Sequence, residues 1–177
     1  MNNLLVSGPP RSGKTTLIKN ITGHPSLSGK WGGFITEEIR EKGERVGFQI
    51  LSYPGAKRGI LARKGLFSSY RLGSYGVNIQ DLEGIGCKAL EEALSSAELI
   101  IIDEIGKMEL FSEKFRNILL QALDSPKKLL ATIMEKRHEF ADRIKRRKDV
   151  QTYRLRPQNF EIVLQDVLKW IVHKSSS

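Results

Sequence analysis

Eight residues near the start of the chain, Gly8-Pro9-Pro10-Arg11-Ser12-Gly13-Lys14-Thr15, constrain its fold more than any other feature. They satisfy the pattern G-x-x-x-x-G-K-[ST]. They also follow a short apolar run, Asn3 to Ser7, and precede a stretch expected to be helical from Lys14. Glycines permit positive φ and let a backbone approach a polyphosphate closely. The N–H groups of such a loop and of the following helix point at phosphate oxygens, aided by the helix dipole. Lys14 supplies positive charge to the β- and γ-phosphates and Thr15 a hydroxyl to Mg²⁺. A plain glycine turn before a helix would leave both residues unexplained. The expected phosphate-binding set is therefore Gly8, Pro9, Pro10, Arg11, Ser12, Gly13, Lys14, Thr15 and Thr16.

A phosphate loop needs a carboxylate on the metal side. Leu99-Ile100-Ile101-Ile102-Asp103 is an apolar run ending in an acid, the form of a strand covered on both faces whose end lies at the carboxyl edge of the sheet. Asp103 is thus expected to hold magnesium with Thr15. Glu104 follows at once and points elsewhere on an extended chain, which suits polarising the water that attacks the γ-phosphate; an exposed acid at a strand end is the plainer reading. Lys107 is either a cation brought to the γ-phosphate in cis or a surface lysine pairing with Glu109 or solvent.

The remainder alternates strands and helices. Gly33 to Ile39, Arg45 to Tyr53 and Arg58 to Lys64 read as short strands separated by turns, an antiparallel insertion near residues 40–64. Helical spacing marks Asp81 to Ser95, Phe111 to Ala122 and Phe160 to Ile171, with a charged helix over 136–148. Leu129 to Met134 and Gln151 to Leu155 are further strands. Repeated β-then-α order predicts an α/β fold with a mostly parallel sheet flanked by helices. One domain over residues 1–174 is expected, with a frayed tail at 175–177.

Composition narrows the class. Of 177 residues, 40% are hydrophobic and 28% charged, enough for a core and too mixed for a disordered or collagen-like chain. The longest strongly apolar run is far short of a membrane span, and no secretory signal is read. A lone cysteine, Cys87, suits a reducing, cytoplasmic setting. The net charge of +9 is concentrated in two places. Residues 57–71 carry Lys57, Arg58, Arg63, Lys64 and Arg71 with no acid, and residues 136–148 carry seven Lys or Arg against Glu139 and Asp142. Either these are solvated faces or they meet an anion, such as a nucleic acid or another acidic partner.

Beyond the loop, several blocks are specific in themselves: Gly33-Phe34-Ile35-Thr36-Glu37-Glu38-Ile39-Arg40, Gly47-Phe48, Gly73-Ser74-Tyr75-Gly76-Val77-Asn78, and Asp103-Glu104-Ile105-Gly106-Lys107-Met108-Glu109-Leu110. In this order they resemble the thermophilic nucleoside-triphosphatase family, which includes a human cancer-related nucleoside-triphosphatase, over roughly residues 1–172. The resemblance implies a RecA-like P-loop NTPase fold and magnesium-dependent hydrolysis of ATP, GTP and other nucleoside triphosphates. It strengthens Asp103, Glu104 and Lys107 as site residues and draws attention to Thr36, Glu37, Arg40, Tyr75 and Asn78 without giving them roles. Arg11 departs from the small residue or glycine common in the family's loop.

Other chemistries share the loop. A nucleotide or small-molecule kinase would use Arg143, Arg146 or Arg147 as lid cations. A GTP-dependent switch would need an Asn-Lys-x-Asp element, and no asparagine in the chain is followed by lysine. A nucleic-acid-stimulated NTPase would exploit the basic stretches and the aromatic Phe67, Tyr70 and Phe140 beside them.

Overall fold

The computed structural model describes residues 1–173; the expected tail at 175–177 lies outside them. In chain order the strands are β1 (Asn3–Gly8), β2 (Trp31–Glu41), β3 (Glu44–Tyr53), β4 (Arg58–Lys64), β5 (Arg71–Leu72), β6 (Tyr75–Val77), β7 (Leu99–Ile105), β8 (Lys128–Met134) and β9 (Val150–Arg154). The helices are α1 (Lys14–Thr22), α2 (Ile79–Asp81), α3 (Lys88–Ser96), α4 (Glu113–Asp124), α5 (Glu139–Lys145) and α6 (Phe160–Val172). A π-helical segment, Leu82–Cys87, joins α2 to α3. Among the described residues the strands form one sheet in the order β5-β6-β4-β3-β2-β7-β8-β1-β9.

Pairing is parallel from β2 through β7, β8 and β1 to β9, and antiparallel from β2 through β3, β4 and β6 to β5. The apolar runs in the centre follow from burial on both faces. Because strand side chains alternate, Leu5, Ile100 and Ile102 pack with Phe34, Leu90, Phe115 and Leu119 on one face. Leu4, Val6 and Ile101 pack with Leu17, Ile18, Ile21, Val163 and Val167 of α1 and α6 on the other. Among the described residues, no helix is long and apolar enough to cross a membrane.

Several boundaries differ from the sequence expectation. The antiparallel part is larger than residues 40–64: β2 pairs with β3 from Gly33 onward, and the meander continues through β6 to Val77. Only Trp31–Phe34 of β2 pair with β7, so the β2–β3 hairpin projects past the carboxyl edge of the parallel strands. The charged helix expected over 136–148 is confined to α5, where Ala141 and Ile144 are the buried anchors. Lys136 and Arg137 instead form an exposed connection out of β8. Asn78, its side chain accepting from the Asp81 N–H at 3.1 Å, starts the helical segment two residues earlier than periodicity predicts.

Candidate active site

The parallel register brings the two sequence motifs to one edge. Gly8, the last residue of β1, is level with Met134 of β8, and Ile102 of β7 is level with Ala131. The chain leaves β1 through Pro9, Pro10 and Arg11, turns at Ser12, and enters α1 through Gly13 at φ 97°. A glycine is required there because the left-handed region is disfavoured for residues with a Cβ. Gly8 is required for another reason, since a Cβ would lie 2.5 Å from Ser12 Oγ and 2.8 Å from the Leu155 carbonyl. Arg11 is itself left-handed at φ 64° and exposed. The departure noted in the sequence thus places a bulky residue in a conformation that costs it about 1–2 kcal/mol.

Lys14 folds back over the loop, its ammonium donating to the Gly8 and Pro9 carbonyls at 2.9 and 3.3 Å. Thr15 is half-buried beside it, whereas Thr16 is exposed on the next position of α1. β7 does not stop at Ile102. It runs to Ile105 with an irregularity between Ile102 and Ile105, and Asp103 and Glu104 sit within it. Asp103 is completely buried. Its Oδ1 accepts from Thr132 Oγ1 at 2.6 Å, and its Oδ2 has no hydrogen-bond partner. Burial pushes this carboxyl up to about 6, Thr132 draws it down, the neighbouring Glu104 charge pushes it up, and Thr15 and Lys14 oppose.

Glu104 is half-buried. Burial raises its pKa, and the positive charge of Lys14 opposes that shift. Lys107 stands exposed on the loop beyond β7. The pairing with Glu109 weighed from the sequence is not made: Glu109 is buried, and its carboxylate accepts from the Gly106 N–H at 3.1 Å. Burial, then Glu104, then Asp103 push Glu109 up to about 8, against hydrogen bonds from backbone N–H groups.

Two of these residues were not singled out from the sequence. Thr132 is the one hydroxyl in the apolar run Leu129–Met134, and that interruption was the available signal. Glu109 lay inside a quoted block, but nothing in its spacing said that the chain would bend back to bury it.

The other residues drawn in by resemblance lie on the hairpin side. Glu37 takes Lys19 of α1 at 2.8 Å and Gln49 of β3 at 2.8 Å, bracing α1 against β2, and these partners hold its pKa down. Thr36 is buried beside it. Arg40 pairs with Glu38 at 2.7 Å, and Tyr75 accepts from Arg45 at 3.2 Å out on β6. Thr36 and Glu37 lie two and three positions beyond Phe34, which is level with Ile102 of β7; Asn78 is a helix cap. A hollow of about 470 Å³ lined by Lys19, His24, Trp31, Ile35, Glu37 and Tyr53 lies toward the far end of α1.

A phosphate loop on β1, a buried acid on β7 and a parallel core between them define a P-loop NTPase. The chain belongs to the NTPase family, whose model matches residues 3–168, and is with it a nucleoside-triphosphate hydrolase. It is 47% identical over 165 residues to nucleoside-triphosphatase THEP1 of Thermotoga sp. (strain RQ2), covering 93% of this chain and 92% of that one. The crystal structure of THEP1 from Aquifex aeolicus superposes with a TM-score of 0.87 at 37% identity, over 97% of this chain and 99% of the other. The solution structure of a human cancer-related nucleoside triphosphatase superposes with a TM-score of 0.83 at 33% identity, over 99% and 100%.

Proposed function

We propose that this chain hydrolyses ATP, GTP and other nucleoside triphosphates to the diphosphate and phosphate, with magnesium and with broad base selectivity. The observation that carries the reading is Asp103: buried, one oxygen fixed by Thr132, the other without a partner, one strand from β8 and two from the phosphate-loop strand. A buried acceptor without a partner is costly, and a magnesium-bound water fits it. Among the described residues no cluster of three or more His, Cys, Asp or Glu is placed to hold a metal. Magnesium takes few protein ligands and keeps waters and phosphate oxygens. Thr15 and Asp103 would hold it. Bound there, it would neutralise charge on the β- and γ-phosphate oxygens.

The chain's own groups do the rest. Lys14 exchanges two backbone carbonyls for phosphate oxygens, and the backbone N–H groups of residues 11–16 surround the phosphates, Pro9 and Pro10 having none to give. Glu104 accepts a proton from the attacking water. The new bond forms between that water and the γ-phosphorus, and the bond to the β-phosphate oxygen breaks with its electron pair leaving on the diphosphate. Lys107 supplies a cation for charge developing on the transferred group. Of the three cations the kinase reading would use, Arg147 is engaged by Asp124 and Asp149, while Arg143 and Arg146 are exposed. The same proposal takes residues 1–174 as one NTPase domain and, from the buried free Cys87, a cytoplasmic setting.

Phosphate release without any acceptor tests the reading. ATP and GTP should give kcat/KM values within about tenfold of each other, since no hydrogen-bonding base reader discriminates them, and chelation of magnesium should abolish both. Release that appears only with an acceptor, which becomes phosphorylated, would overturn it. Thr132→Val keeps the shape of the side chain and removes the donor that fixes Asp103. It should raise the magnesium concentration for half-maximal activity about 10-fold or more, with turnover at saturating magnesium largely kept.

A further inference from the structure

In the second basic stretch, among the described residues, Lys145 and Arg147 are held in ion pairs and the Arg143 guanidinium lies over the Phe140 ring. The first contains something folding does not explain. Phe67 is 100% exposed, with Tyr70 43% exposed three residues on. A fully exposed phenylalanine gains nothing from the core. Nor is it there through looseness of the loop. Ser68 Oγ donates to the Val77 carbonyl at 2.7 Å and accepts from the Tyr70 N–H at 3.0 Å, while the Val77 N–H donates to the Tyr70 carbonyl at 2.8 Å. The ring is therefore presented by an ordered loop.

Charge points to what it is presented to. Lys64 and Arg71 flank the loop, both exposed, and no acid occurs between residues 57 and 71. Among the described residues neither makes an ion pair; Arg71 donates only to the Leu66 carbonyl at 3.5 Å. Neighbouring cations are neutralised, Arg63 by Glu41 and Arg45 by Glu38. An ordered aromatic face between two unpaired cations, with Ser68 and Ser69 beside it, is the chemistry of base stacking combined with phosphate contact.

Its place in the fold joins it to the hydrolytic site. β4 and β2 are each antiparallel to β3, so β4 runs in the direction of β2 and its last residue, Lys64, opens toward the same side of the sheet as the phosphate loop. The Tyr70 ring lies 5.6 Å from the ring of Phe111. Phe111 is two residues from Glu109, whose carboxylate holds the Gly106 N–H in the loop that carries Lys107. We propose that residues 64–71 dock single-stranded nucleic acid through Phe67, Lys64 and Arg71, and that occupancy reaches the Glu104–Glu109 loop through Tyr70 and Phe111, raising turnover. Only the second half of this proposal rests on the hydrolase reading.

The test uses the full chain and labelled oligouridine or oligothymidine of about 20 nucleotides, with binding read by fluorescence anisotropy without nucleotide. Affinity should fall with salt, and Lys64→Ala with Arg71→Ala should reduce the log–log slope by about 1.4, two single-strand phosphate contacts. Phe67→Ala should weaken binding about 10-fold with the slope unchanged. Phe67 is fully exposed, so its loss does not endanger the fold. Saturating oligonucleotide should raise phosphate release, and Phe111→Leu should remove that stimulation while leaving affinity within about twofold, since Phe111 makes no contact with the strand in this scheme. Stronger binding to one polymer identifies RNA or DNA as the source. No binding at low salt, binding indifferent to Phe67→Ala, preference for duplex, or binding to anionic phosphatidylserine vesicles instead would each overturn the docking proposal. Binding that obeys the expectations without any change in turnover would overturn the coupling. Because the anisotropy arm needs no hydrolysis, its failure is separable from failure of the hydrolase reading.

Discussion

Glu104→Gln is expected to slow phosphate release about 10²- to 10⁴-fold, the span associated with loss of a positioned general base, while nucleotide affinity stays within a few-fold. The substitution keeps the volume and the half-buried position of the side chain and removes its ability to accept a proton. Asp103, Thr15 and the loop amides are untouched, so the binding half of the site survives. Burial raises the Glu104 pKa and makes the carboxylate a stronger base than a solvated glutamate, while the charge of Lys14 opposes that rise. Activity should accordingly fall as pH drops through that raised value, because the protonated carboxyl cannot accept, and the acid limb should vanish from the residual activity of the variant. The measurements are steady-state phosphate release across pH and equilibrium binding of a fluorescent triphosphate. A decrease of less than about tenfold would remove Glu104 from the role of base. Loss of nucleotide binding would make it a structural group instead.

What the sequence disclosed follows the range of the forces involved. The phosphate loop was legible because phosphate contact demands particular backbone torsions at Gly13 and close approach at Gly8, and these leave contiguous residues as a signature. The strand Leu99–Ile105 was legible through its unbroken apolar run, although its end was placed short because Asp103 and Glu104 do not look like strand residues. The enlarged antiparallel part was not, since β2 meets β3 along one edge from Gly33 onward and β7 along the other only at Trp31–Phe34, and nothing local in Gly33–Glu41 says which neighbours it meets. The same limit hid Thr132, whose meaning lies in Asp103 on the adjacent strand, 29 residues away. Charge counting saw both basic stretches alike. Only the fold separates Arg147, held between Asp124 and Asp149, from Lys64 and Arg71, which face solvent.

Glu109→Gln carries the largest expected effect on stability, and its sign depends on pH. The glutamate is buried, and burial together with the Glu104 charge pushes it up to about 8 from an ordinary 4.5. A carboxyl whose folded pKa lies above its unfolded value binds its proton more tightly when folded. Stability is therefore lost as pH rises from about 4.5 toward about 8 and levels off beyond. At about 1.4 kcal/mol for each tenfold change in proton affinity, ionising this group above pH 8 costs the fold about 2–5 kcal/mol. Glutamine retains a carbonyl oxygen to accept the Gly106 N–H and cannot ionise. At pH 8.5 in EDTA the variant should melt higher by roughly 5–15 °C, at about 2–4 °C per kcal/mol for a chain of this size. Near pH 4.5, where the native group is protonated in the folded protein, the two should melt within about 2 °C of each other. Thermal melts at both pH values decide the matter. A variant less stable at pH 8.5 would mean that the charge, rather than the acceptor, holds the Gly106 turn. A variant more stable at alkaline pH would mean that an ionisable carboxyl is kept against the interest of the fold, beside the acid and base on which hydrolysis depends.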